Sequence, residues 1–198
     1  MARRKKTAKR SARATPARAP QDAIALLKAD HRQVEQWFEE FESSRSDSKK
    51  NQLAQQICQA LTVHTSIEEE IFYPAFLDAT EEEDIHHEAE VEHDGAKKLI
   101  AQIEDSSADD DYFDAKVKVL SEMIKHHVNE EEKRDGMFAK ARGADMDLKS
   151  LGEQLAARKA QLMGSAEADE DTSSPRAARS SPQRSGVMAR LARRARGE

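Results

Sequence analysis

The chain has 198 residues, a net charge of −6, 35% charged residues and only 5% aromatics. That length holds one domain of ordinary size plus tails, and 7 Gly and 5 Pro favour helices over a turn-rich sheet. No apolar run approaches the ~18 residues of a membrane span, the basic N-terminus lacks the apolar segment of a secretory signal, and the single Cys58 makes no internal disulfide. The expectation is a cytoplasmic protein without integral membrane association.

Residues 1–20 carry eight Lys/Arg and no acid, and residues 164–198 carry seven Arg against five acids. Both ends are too poor in large hydrophobes to offset ordering entropy and read as disordered basic tails. The acidic middle divides into a four-helix unit over 21–143 and an additional amphipathic helix over 144–163 with Leu148, Leu151, Leu155 and Leu162 on one side.

Within 21–143 the apolar residues recur at alternating three- and four-residue steps. The first stripe is Ile24, Leu27, His31, Val34, Phe38, Phe41, broken by SSRSDSKKN. The second is Leu53, Ile57, Ala60, His64, Ile67, Ile71, ending near Pro74 or shortly beyond. After DATEEED, whose acids suit a helix N-terminus, the third is His86, Ala89, His93, Ala96, Ile100, Ile103. The fourth is Phe113, Val117, Leu120, Ile124, His127, Glu131. Short connections make these an all-α, antiparallel up-and-down four-helix bundle.

Each stripe contains a histidine. A lone histidine on an apolar face is usually a hydrogen-bonded structural residue, but four stripes facing one axis let His31, His64, His93 and His127 converge. At ~1.5 Å per residue with alternating direction, their depths permit one level. Glu68 follows His64 by four residues and Glu131 follows His127 by four, so each pair shares a face. Carboxylates among imidazoles in an apolar interior are costly to desolvate, and a divalent metal reverses that cost. Four His and two Glu exceed the needs of one tetrahedral zinc and suit two iron or manganese ions with bridging carboxylates.

The segments LLKADHRQVEQWF, LTVHTSIEEEIFYPAF, EAEVEHDGAKKLI and MIKHHVNEEE, in this order and spacing, resemble the hemerythrin family, specifically its bacterial HHE cation-binding branch. The resemblance covers nearly all of 21–143. It implies two non-heme iron ions held by His31, His64, Glu68, His93, His127 and Glu131. The oxygen-carrying hemerythrins have a fifth histidine where Ala89 stands, so one iron is expected to be less saturated by protein. After the last glutamates, KRDGMFAK is two residues longer than the family's short ending and lacks its proline.

Periodicity selects His127 over His126. His86 is expected near the entrance rather than as a ligand, and His87 and His126 on the solvated surface. Trp37, Phe38, Phe41, Phe72 and Tyr73 read as core and bundle-end packing, with shielding or hydrogen bonding of the metals the other role for Tyr73. The function implied is binding or sensing of dioxygen or a related small molecule, nitric oxide or peroxide, in oxidative stress or iron handling. The alternatives are a di-iron enzyme turning over peroxide or nitric oxide, and a metal-free helical interaction module. The basic tails add weak, non-specific, salt-sensitive nucleic-acid association.

Overall fold

The structure, a computed structural model, describes residues 22–173, with side chains as far as residue 164. The tail expected over 1–20 and most of that expected over 164–198 lie outside the described residues. Helix α1 (Ala23–Ser43) begins at Asp22, whose carboxylate accepts a hydrogen bond from the Ala25 N–H at 2.7 Å and satisfies one otherwise unpaired donor of the first turn. Ser46 accepts from Lys49 in the same way to start α2 (Asp47–Ile67). The break across SSRSDSKKN is thus only Ser44 to Ser46.

The second helical stretch runs past Pro74. It passes through a π-helical turn, Glu68–Phe72, into α3 (Tyr73–Thr80), and the Tyr73 N–H bonds to the Glu68 carbonyl five residues back. Pro74 follows directly after the π turn, in the first turn of α3. Glu81, with φ 56°, takes the left-handed conformation that stops α3. Glu83 and Asp84 then occupy the first turn of α4 (Glu83–Glu104), where the helix dipole favours negative charge. Helices α5 (Phe113–Glu132), α6 (Met137–Gly143) and α7 (Leu148–Ser173) complete the order.

Helix α1 packs on α2 and α5, and α4 packs on the same two, which closes the antiparallel four-helix bundle. Helix α6 folds back onto α5 and α3, and α7 lies across α1, α2 and the π turn. It runs on to Ser173, beyond the 144–163 of the sequence reading. The apolar interior is split in two. One cluster holds Val34, Phe38, Ile57, Leu61, Ile100, Leu120 and Ile124; the other holds Leu27, Ile67, Phe72, Tyr73, Ala89, Phe138 and Leu155. Each fully buried Leu, Ile or Phe stabilises the fold by about 1.5–3 kcal/mol. The slab between the clusters is polar instead.

Candidate metal centre

That polar slab contains His31 from α1, His64 from α2, Glu68 from the π turn, His93 from α4, and His127 and Glu131 from α5, all between 0 and 5% exposed. The histidines meet in two pairs, with Nε2 atoms 3.1 Å apart for His31 and His64 and 3.3 Å apart for His93 and His127. Glu68 reaches both pairs through one oxygen, its Oε2 lying 3.2 Å from His64 Nε2 and 3.4 Å from His93 Nε2. Glu131 reaches both through two, its Oε2 lying 3.4 Å from His31 Nε2 and its Oε1 3.7 Å from His127 Nε2.

This donor set fits metal ions better than it fits itself. Glu68 Oε1 and Glu131 Oε2 are buried without a hydrogen-bond partner, and buried unpaired carboxylate oxygens are costly. Two groups of ligand atoms, His31–His64–Glu68 and Glu68–His93–His127, each lie within 4.8 Å of one another. They share Glu68, so the donor atoms divide into two neighbouring groups with one carboxylate common to both. Imidazole and carboxylate without thiolate suit iron or manganese.

Behind the imidazoles stands a second layer that the sequence reading missed. His31 Nδ1 lies 2.8 Å from Glu132 Oε1, His93 Nδ1 2.8 Å from Glu69 Oε1, and His127 Nδ1 2.7 Å from Glu92 Oε2. His64 Nδ1 faces Asp30 Oδ2 at 3.6 Å. A carboxylate on the outer nitrogen fixes the tautomer that turns Nε2 inward and raises its basicity. The adjacent acids in ADHR, IEEE, VEHD and NEEE were the available signal.

Tyr73 belongs to the centre as well as to the core. Its hydroxyl lies 3.2 Å from His93 Nε2 and from Glu131 Oε1, and 3.5 Å from Glu68 Oε2. His86 stacks edge-on against Tyr73 with centroids 5.9 Å apart and lies apart from the six. Phe138 of α6 stacks on His31 at 5.8 Å. It is placed there by a turn at Gly136 so tight that a Cβ would meet Glu130 O at 2.2 Å. The longer KRDGMFAK segment is thereby absorbed into a cap. His126 is mostly exposed and touches Glu92 at 3.2 Å. A cavity of about 210 Å³ approaches the centre between α4, α5 and α6, lined among others by Ala89, Glu92, His127 and Glu131.

Burial drives the His31 ring down to about 4. Burial also works against a proton on His64, but Glu68 and Asp30 beside it win and raise it to about 10. Glu68 resists burial through the same His64 charge and is held well below the ordinary carboxylate value. Burial, reinforced by the Glu68 charge, lifts Glu131 to about 8. Tyr73, desolvated and facing both glutamates, is raised well above the ordinary phenol value and keeps its proton. At neutral pH His64 and Glu68 thus form an imidazolium–carboxylate pair and Glu131 keeps its proton, and a metal bound to these groups would displace both protons.

Comparison with known proteins agrees with this architecture. A crystal structure of a hemerythrin HHE cation-binding-domain protein from Mycobacterium kansasii superposes with a TM-score of 0.65 at 24% identity, covering 77% of this chain and 94% of that one. A protein of a Nostoc species named a DNA nickase is 31% identical over 107 residues, 54% of this chain, and the match spans only 30% of that relative's length. The family model described as hemerythrin HHE cation binding domain matches residues 22–139, which include all six inward residues, so the chain belongs to the hemerythrin HHE cation-binding family.

Proposed function

We propose that this cation-binding protein holds two non-heme iron ions between its four histidines, bridged by Glu68 and Glu131, and uses them to bind or sense dioxygen or a related small molecule such as nitric oxide or peroxide. The observation that carries the reading is the division of the inward atoms into two imidazole pairs spanned by both glutamates. Such a centre, when loaded, supplies redox-active Lewis-acid positions that six protein residues leave unsaturated. The chain's own residues do the rest. Three outer carboxylates orient His31, His93 and His127 by hydrogen bonds, Asp30 faces His64 at 3.6 Å, and the two apolar clusters on either side keep bulk water out. The cavity beside Ala89 leads small molecules to the His127 and Glu131 side. Tyr73 presents a phenol that stays protonated and points at Glu131 and His93, a donor for a hydrogen bond to whatever binds there. That phenol, a hydrogen-bond donor facing the centre, is the specific observation favouring the second reading, turnover of peroxide or nitric oxide, in which a bound oxygen atom is polarised by a donor.

Anaerobic iron loading followed by oxygen titration in a spectrophotometer tests the proposal. About two irons per chain are expected from the ligand count, with an absorbance change on adding oxygen. A load below about half an iron, unrestored by anaerobic reconstitution, refutes it.

The basic segment 1–20 supports a separate, weak association with nucleic acid by counterion release. Retention on DNA should then fall steeply between about 50 and 200 mM salt and vanish when 1–20 is deleted. Failure of the full chain to bind at low salt removes that role.

A further inference from the structure

Three of the four outer carboxylates are themselves held by a lysine or arginine, and the fourth, Glu92, by a histidine. Glu132 is bonded by Lys28 at 3.0 Å and Arg32 at 2.7 Å, both from α1. Glu69 is bonded through both oxygens by Lys97 of α4 at 2.6 Å. Glu92 faces His126 of α5. These anchors lie within the four-helix bundle. Asp30 differs, because its partner is Lys159 of α7. The next residue back, Arg158, grips Glu70 of the π turn through two bonds of 2.6 and 2.9 Å, and Leu155, one turn earlier, is fully buried in the cluster that caps the centre. Helix α7 lies outside the segment matched by the family model, 22–139.

We propose that α7 is a working part of the metal centre: Lys159, acting through Asp30, is a positioning residue for His64 and thereby retains the metal between His31 and His64. The inference rests on the two-metal reading above. Asp30 is only 16% exposed in its side chain. Its two oxygens divide between the two partners, Oδ1 taking Lys159 and Oδ2 facing His64. With Lys159 removed, one side of that carboxylate loses its partner, and Asp30 is free to turn toward water. His64 then loses the carboxylate that faces its outer nitrogen across 3.6 Å. The gap between Asp30 and His64, 3.6 Å, is already the longest of the four and exceeds a hydrogen bond, so this histidine has the least margin. The Arg158–Glu70 pair is exposed and contributes little alone; its part is to keep Lys159 in register over Asp30. The carboxylates behind His93 and His127 are anchored by Lys97 and His126 inside the bundle, so loss of the Lys159 side chain alone should leave the other metal position unchanged.

The experiment is release of iron from the full-length, iron-loaded chain to a ferrous chelator, followed by absorbance without any activity assay. In Lys159→Gln, one iron per chain should leave up to about 10-fold faster than in wild type, the lower end of the cost in affinity of losing a ligand's own partner, while the other keeps its wild-type rate. Asp30→Asn should accelerate the same iron, and Lys159→Arg should restore retention. Lys97→Gln should accelerate the other iron, since Glu69 backs His93. Equal acceleration of both irons in Lys159→Gln would mean general loosening of the fold, and no acceleration would mean that α7 is mere packing; either result overturns the inference. Wild-type protein that loads no iron would instead overturn the two-metal reading itself.

Discussion

If the centre holds the two metals proposed, loss of Glu68 should be felt by both at once, because one oxygen lies within 3.4 Å of a histidine from each pair. Metal at about 1,000 times its dissociation constant stabilises the folded state by about 4 kcal/mol per position. If Glu68→Ala weakens each position 100-fold, a loss that outer-shell substitutions alone can reach, each forfeits about 2.7 kcal/mol. The two together lose about 5 kcal/mol, or about 10–20 °C in Tm for a domain of this size. The quantity to measure is the difference between iron-loaded and iron-free Tm by anaerobic scanning calorimetry. It isolates the metal from the direct effect of the substitution, which strips His64 of its charge partner in the iron-free protein. His87→Ala, at an exposed position, should retain the full difference. If wild type and Glu68→Ala gain equally from iron, Glu68 is not a bridging ligand and the two-position geometry is wrong.

Iron loading should release about two protons per chain at pH 7, from His64 and Glu131, and about one at pH 9, above the Glu131 value of about 8 but below the His64 value of about 10; calorimetry in buffers of different ionisation enthalpy counts them, and no release at pH 7 refutes the assignment. In iron-free protein both raised groups contribute stability that is full below their ordinary values of 6.5 and 4.5 and is lost as pH rises through about 10 and about 8. His31 acts in the opposite sense, its contribution present above 6.5 and lost as pH falls through about 4, so melting temperatures across that range test the signs. His127→Ala should lose at least one iron while His126→Ala keeps nearly the full load by elemental analysis; the reverse would place the inward face one residue earlier. Gly136→Ala should lower Tm by several degrees, since its Cβ would meet Glu130 O at 2.2 Å and Glu131 O at 2.8 Å and backbone must shift; an unchanged Tm would show that α6 docks without that tight turn.

The bundle was legible because burial imposes a 3.6-residue period, and it was the interruption of that period by His31, His64, His93, His127, Glu68 and Glu131 that marked the polar slab. Tyr73 escaped a firm assignment for a related reason. In a regular helix it would lie about 140° around from Glu68, but the π turn joins residues five apart, so Tyr73 comes onto the Glu68 side and its hydroxyl reaches that carboxylate. Period counting assumes an unbroken helix. The cap formed by α6 was hidden because KRDGMFAK departs from the family's ending, and its geometry depends on one close backbone approach at Gly136. Lys159 was invisible, since a lysine in a chain with 35% charged residues looks like solvated surface until Asp30 is found beneath it.

The outer carboxylates do follow a rule that the sequence carries, although it can be read only with the topology in hand. On α1 and α4 the acid precedes the inward histidine, as Asp30 before His31 and Glu92 before His93; on the second stretch and α5 it follows the inward glutamate, as Glu69 after Glu68 and Glu132 after Glu131. One residue turns a helix by about 100°, and reversing the helix reverses the sense of that turn as seen from one end of the bundle. Preceding on an upward helix and following on a downward one are therefore rotations in the same direction. Every acid points toward the next helix in the same sense: Asp30 serves His64, Glu69 serves His93, Glu92 serves His127 and Glu132 serves His31. The circuit closes only because the helices alternate. Acids on the opposite flank confirm the sense of rotation, since Asp94 is exposed and Glu130 pairs with Lys133. An up-down bundle thus lets each helix supply both an inward residue and the carboxylate that faces its neighbour's histidine from two consecutive residues, so the register between helices, as much as the identity of the six inward residues, decides how the centre is assembled.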